Sequence, residues 1–217
     1  MMLALQTPPA PQQMSGERVD VLTEVLRDDV NLAVWQRTLP DHVTGFAAAL
    51  LAQGEPLAQS LSIDLTDAEA EPALPGLLAG YSDMPGQAAF LADVAWLVRA
   101  YACLLDARSV GLRLRVLDGA MCPRFHVDRV PLRLITSYAG PGSQWLREGA
   151  VARQPLGGAQ AFAGEGAAAA VEQIACGHVA LLKGERWIGN EGRGLVHRSP
   201  ALPAGERRLL LTLDWLA

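Results

Sequence analysis

Half of the 217 residues are hydrophobic and 19% are charged, with a mean hydropathy of +0.17, which excludes a wholly disordered chain and leaves enough apolar surface for one sizeable core. Eighteen basic against 23 acidic residues give a net charge of −5, so the overall balance offers no attraction to a phosphate backbone or an anionic membrane. Three cysteines, Cys103, Cys122 and Cys176, are an odd number in a chain of this length, which argues against a disulfide framework and for a reducing, cytoplasmic setting.

The stretch 1–16 is rich in Pro, Gln and small residues and is expected to be a flexible leader. Its short apolar start has no basic residue before it, so it does not have the form of a secretory signal. Residues 17–108 predict a mainly helical buttress. Val19, Val21, Leu22, Val25 and Leu26 recur at helical spacing over Arg18–Arg27, as do Val43, Phe46, Ala47, Leu50 and Leu51 over Asp41–Gln53. Between and after these helices, Asn31–Arg37 and Ser60–Leu65 are expected to be short strands. A short helix is expected over Pro72–Gly80, and a long one over Gly86–Ala107 with Phe90, Val94, Leu97, Tyr101 and Leu104 along one stripe. The uninterrupted apolar stretches fall short of the roughly 18 residues that a membrane-spanning helix needs.

From residue 109 onward the pattern turns to strands. Val110–Leu117, Pro131–Tyr138, His178–Lys183, Arg193–His197 and Arg208–Trp215 are short apolar runs separated by Gly and Pro, the rhythm of an antiparallel sandwich or jelly roll. Gly157–Ala170, a Gly/Ala stretch, is expected to be a surface loop running into a short helix. The chain has no Gly-rich phosphate loop, no Gly-x-Ser-x-Gly elbow and no Cys-x-x-Cys, so P-loop, α/β-hydrolase and zinc-ribbon chemistry have no footing.

The residues that carry chemistry lie in this β-rich part. In Phe125-His-Val-Asp128 an imidazole and a carboxylate are two residues apart, and on an extended strand that spacing turns both to one face. His197 closes the run Gly194-Leu-Val-His197 and supplies a third donor. Two imidazoles and one carboxylate leave open positions on an octahedral ferrous ion, as oxygen-activating non-haem iron enzymes require. About ten residues further on, Arg207 and Arg208 open an apolar strand. A guanidinium there can grip a distal carboxylate with two hydrogen bonds, and alternation allows only one of the two to face the site. Arg208, which begins the continuous apolar run, is the preferred candidate.

This order of His126-x-Asp128, His197 and a following arginine resembles the Fe(II)/2-oxoglutarate-dependent oxygenases over roughly residues 110–215. Gly177-His-Val-Ala-Leu-Leu182 and His197-Arg-Ser-Pro200 are similar to the segments flanking the distal histidine in that superfamily. The resemblance implies an α+β protein with N-terminal helices packed on a C-terminal double-stranded β-helix, a cupin-like jelly roll forming the metal-binding core over 109–217. It also implies Fe(II) and 2-oxoglutarate as cofactors, hydroxylation of a C–H bond, and Tyr138 as a further hydrogen-bond partner of the cosubstrate carboxylate. The substrate stays open between a small molecule and a protein side chain, with no nucleic acid and no membrane expected.

A more specific resemblance is to the bacterial domain of unknown function 1826 family. Cys122-Pro-Arg-Phe-His-Val-Asp128, Leu134-Ile-Thr-Ser-Tyr138 with Gly140-Pro-Gly142, Trp145-Leu146 and Trp35-Gln-Arg37 carry it. That family implies a role in metal homeostasis and keeps zinc as the alternative ion, in a non-catalytic or regulatory protein on the same barrel. A second ligand set is open for zinc. Cys122, His126, Cys176 and His178 could close a tetrahedral site.

Overall fold

Strands that are apolar on both faces must be covered on both sides. Here β2 (Val30–Trp35), β8 (Val179–Lys183) and β10 (Arg208–Trp215) are buried along nearly their whole length. A computed structural model describes residues 10–65, 70–149 and 170–216, and in it helices lie over one face of the main sheet and a small second sheet over the other.

The remaining elements are β1 (Gln12–Gly16), a 3₁₀ helix (Val19–Leu26), α1 (Asp41–Ala52), β3 (Ala58–Asp64), α2 (Gln87–Leu105), β4 (Ser109–Leu117), β5 (Leu132–Ala139), β6 (Gln144–Leu146), β7 (Val171–Gln173) and β9 (His197–Arg198). The main sheet has the order β1-β2-β8-β5-β10-β4-β3 and the small sheet β7-β6-β9. The pairings are antiparallel except β1 with β2. The whole is a sheet-rich α+β architecture.

Alternation assigns each strand residue to a layer. Leu209, Leu211 and Leu213 of β10, and Leu132, Leu134 and Tyr138 of β5, join the helix-side core with Phe46, Phe90, Val94 and Leu97. Leu210 and Ile135 join the cluster between the sheets with Leu32, Val34, Ala180, Leu182 and Leu195. Arg208, Thr212 and Asp214 of β10 and Arg133 and Ser137 of β5 therefore face the small sheet. Register aligns them, with Arg133 opposite Asp214 and Ser137 opposite Leu210.

On the helix side, Gly86 starts α2 with φ +88°, and a Cβ there would collide with the His42 carbonyl of α1, so only glycine admits this approach. Helix α2 is the one described helix long and apolar enough, by length and composition alone, to cross a membrane. Its stripe of Phe90, Val94, Leu97, Val98, Tyr101 and Ala102 is instead buried against the protein. Its mid-helix Asp93 accepts a fork from Arg37 at 2.7 and 2.9 Å and a bond from the Tyr138 hydroxyl at 2.5 Å.

The stretch expected to be a helical buttress supplies β2 and β3 to the sheet as well as its helices. Gln12–Gly16 is a strand rather than leader, because backbone pairing with β2 and the bonds of Gln12 to Asp29 and Gln13 to Leu146 O tie it down. Pro72–Gly80 is mostly turn, since Pro75 and Gly76, at φ +75°, interrupt any helix; a 3₁₀ turn follows at Ala79–Tyr81. The run Arg193–His197 keeps only His197 and Arg198 in a strand. Residues 1–9 of the leader and 157–169 of the Gly/Ala stretch lie outside the described residues.

Phe90 is fully buried and its ring lies 5.0 Å from that of Phe46 and 4.4 Å from that of Tyr138. Phe90→Ala is expected to lower the unfolding free energy by about 3–5 kcal/mol, read by urea denaturation.

Candidate metal centre

The segment before β5 is extended around His126, which forms an antiparallel bridge with His197. Each histidine donates its backbone N–H to the other's carbonyl at 3.0 Å, the closely spaced pair of an antiparallel ladder. The two rings stand with centroids 4.6 Å apart. Val127 points the other way, onto Gly194, where any Cβ would collide with it. Asp128 thus returns to the face of His126. Its carbonyl accepts a bond from Glu185 N at 2.9 Å, and a Cβ at Gly184 would collide with this carbonyl and that of Val130.

The donor atoms of His126, Asp128 and His197 all lie within 4.8 Å of one another. Asp128 Oδ1 is 3.6 Å from His126 Nε2, and Oδ2 is 3.4 Å from His197 Nε2. Side-chain exposure falls from 32% at His126 through 13% at Asp128 to 7% at His197, so the cluster opens on the His126 side. Nδ1 of His126 lies 2.9 Å from the Arg124 carbonyl and Nδ1 of His197 lies 3.1 Å from that of Leu195. A carbonyl can only accept, so both Nδ1 atoms carry the proton. The Nε2 lone pairs are left to face a cation, the tautomer that metal-binding imidazoles need.

Burial opposes ionisation of Asp128, yet hydrogen bonds from the Nε2–H of His126 and His197 in their charged, metal-free form and the charge of Arg133 together hold its carboxyl well below the usual carboxylate range. Among the described residues this is the only cluster of three or more His, Cys, Asp or Glu donors within reach of one ion. The alternative zinc set does not assemble. Cys176 sits on the turn before β8 with its thiol on the Ser137 carbonyl, and Cys122 and Cys176 are both free and exposed.

Of the two candidate arginines, Arg208 is 1% exposed and faces the small sheet, whereas Arg207 is half-buried outside the strand. Arg208 has no carboxylate partner among the described residues. Its Nη atoms reach the Pro141 carbonyl and Ser143 Oγ at 3.4 Å each, its Nε is unpartnered, and burial pushes it down to about 10. Ser137 Oγ, on the same face, is also without a partner. Tyr138 does not belong to this site. One residue on from Ser137, it points to the helices, where burial and the Asp93 carboxylate push its hydroxyl well above its ordinary range.

The chain matches the family described as Protein of unknown function (DUF1826) over residues 16–214. It belongs to that family. No curated protein matches the sequence. Among solved structures, this DUF1826 protein is similar to a Pseudomonas putida prolyl-4-hydroxylase, at 16% identity over 89% of this chain and 96% of that one, with a TM-score of 0.45. It is also similar to a dioxygenase for auxin oxidation in rice, at 14% identity over 96% and 83%, TM-score 0.45, and to a 2OG-Fe(II) oxygenase family oxidoreductase from Burkholderia pseudomallei, at 12% identity over 96% and 95%, TM-score 0.41.

Two residues of the site escape the sequence reading. Arg133 binds Asp128 Oδ2 at 2.7 Å and forks onto Asp214 at 2.7 and 3.0 Å, and Asp214 also takes Arg113 at 2.7 Å. Their signal was parity. Asp214 lies six residues from Arg208 in β10, so both share a face, and a charge inside an apolar strand needs a partner there.

Asp128 has its folded pKa below the unfolded value of about 3.9, so its contribution to stability is complete above about pH 4 and is lost as the pH falls further. In the metal-free protein Asp128→Asn is expected to be less stable than wild type at pH 7, with the gap narrowing below pH 4 in urea unfolding. A gap independent of pH would contradict this assignment.

Proposed function

We propose that the two sheets form a double-stranded β-helix and that the protein is a non-haem Fe(II)/2-oxoglutarate-dependent oxygenase, hydroxylating a C–H bond of a small molecule or a protein side chain. The observation that carries this reading is Arg208. A buried guanidinium without a carboxylate is costly, and this one faces the small sheet to which His197 belongs. Arg208 touches Ser143, two residues before Trp145, and Trp145 pairs with His197 across β6 and β9. Two residues of extended chain span about 7 Å, a separation that a five-carbon dicarboxylate bridges.

His126, His197 and Asp128 would hold the ion, since two neutral imidazoles and one ionised carboxylate suit Fe(II) and leave positions for an exogenous ligand. Fe(II) held there with its keto acid would supply the chemistry by which dioxygen, 2-oxoglutarate and a C–H bond become succinate, carbon dioxide and an alcohol. The chain supplies binding and exclusion of water. Arg208 takes the far carboxylate in a charge-assisted fork, and the free Ser137 hydroxyl has a donor to offer the same ligand. Ile135, Leu182, Leu195 and Leu210, in the cluster between the sheets, keep the ligand's carbon chain dry. A reducing, cytoplasmic location suits three unpaired and exposed thiols.

The donor set alone would also suit zinc in a non-catalytic protein. Zinc gives no use for Arg208, which is why the keto-acid reading stands ahead. Anaerobic addition of Fe(II) and 2-oxoglutarate is expected to give one chelate per chain with a weak visible charge-transfer band. Arg208→Met is expected to weaken 2-oxoglutarate about 10- to 100-fold, the loss of hydrogen bonds to a charge, and His197→Ala to abolish the band. Purification with one tightly held zinc per chain, and no band after exchange for Fe(II), would decide for the other reading.

A further inference from the structure

We propose that Arg133 is a positioning residue for Asp128, with Asp214 as its anchor. The proposal rests on the metal-binding reading of the triad and extends it to the residues that aim the one acidic ligand. A carboxylate has two equivalent oxygens and a freely turning end, so a metal site needs something to choose between one-oxygen and two-oxygen ligation. Here the choice is built in. Arg133 Nη1 donates to Asp128 Oδ2 at 2.7 Å, which ties up that oxygen and leaves Oδ1 on the open side, 3.6 Å from His126 Nε2.

Arg133 is itself immobilised. Its Nε and Nη2 form a fork on Asp214, at 2.7 Å to Oδ1 and 3.0 Å to Oδ2, directly across the β5–β10 ladder. Arg113 of β4 donates to Oδ2 of the same carboxylate at 2.7 Å. The side chains of Asp128, Arg133 and Asp214 are 13%, 19% and 6% exposed, while Arg113 is half exposed. The result is a chain of alternating charges from the triad to the surface. Two acids and two arginines balance among themselves, so the row also keeps the ligand oriented in the absence of an ion. The fork makes the arginine irreplaceable by lysine, whose single ammonium cannot serve Asp128 and grip both oxygens of Asp214.

The test uses Mn(II) alone as the probe, followed by its electron paramagnetic resonance as free ion is taken up by the full chain. Wild type is expected to bind one Mn(II). Arg133→Lys is expected to weaken binding about 10- to 100-fold, the usual consequence of losing an outer partner of a ligand. Asp214→Asn, which does not touch the triad, is expected to weaken it at least about 3-fold, and the double variant to match Arg133→Lys within about 2-fold, because Asp214 acts through Arg133. The line shape of the bound Mn(II) is expected to change in both single variants, a signature that simple loss of stability does not produce. Folding is checked by the melting curve of each metal-free variant. Mn(II) affinity within about 2-fold of wild type in both single variants, or fully additive effects in the double, overturns the proposal while leaving the triad standing. Failure of wild type to bind Mn(II) overturns the metal reading and this proposal with it.

Discussion

The reciprocal backbone pair between His126 and His197 is the constraint on which the rest depends. These residues are 71 positions apart in sequence, and the two 3.0 Å backbone bonds between them bring their Cα positions together. Once the bridge forms, alternation brings Asp128 back to the same side, and the carbonyls of Arg124 and Leu195 turn each ring so that Nε2 faces inward. A three-donor cluster follows with no side chain having to search for it.

Buried charge is accommodated between two apolar layers in two different ways. Asp128, Arg133 and Asp214 neutralise one another in a row that ends at the partly exposed Arg113. Arg208 has no such relief, and its unpartnered Nε and the unpartnered Ser137 hydroxyl share one face. Protein interiors rarely tolerate orphans of this kind without a ligand to complete them. A balanced row of charges on one side contrasts with an unbalanced guanidinium on the other, which is the asymmetry the proposed function uses.

The helix layer contributes rigidity. Asp93, in the middle of an otherwise apolar helix, is held by Arg37 and Tyr138, so α2 is pinned to the back of β5, whose other face carries Arg133 and Ser137. This explains why Tyr138, two residues before Gly140, serves the scaffold and not the site.

Much of this was legible in the chain and some was not, for physical reasons. The long strands β4, β5, β8 and β10 declared themselves because their apolar content is uninterrupted or alternates. The pair His126 and Asp128 was readable only together with His197 and the arginine that follows, since a lone His-x-Asp is common, and Arg208 was preferred over Arg207 because it begins the apolar run. Strand β1 was hidden because Gln12–Gly16 is polar and is held by pairing with a distant strand, and β6, β7 and β9 are too short to show a period. Arg133 and Asp214 depend on the register between β5 and β10, which no local pattern specifies. The error on Tyr138 has the same root, since which face of β5 meets the helices is decided by packing. The central claim is most directly tested by anomalous diffraction at the iron edge from crystals grown anaerobically with Fe(II). The account predicts one peak per chain, bounded by Nε2 of His126, Nε2 of His197 and a carboxylate oxygen of Asp128; iron bound elsewhere, or none at this cluster, would contradict it.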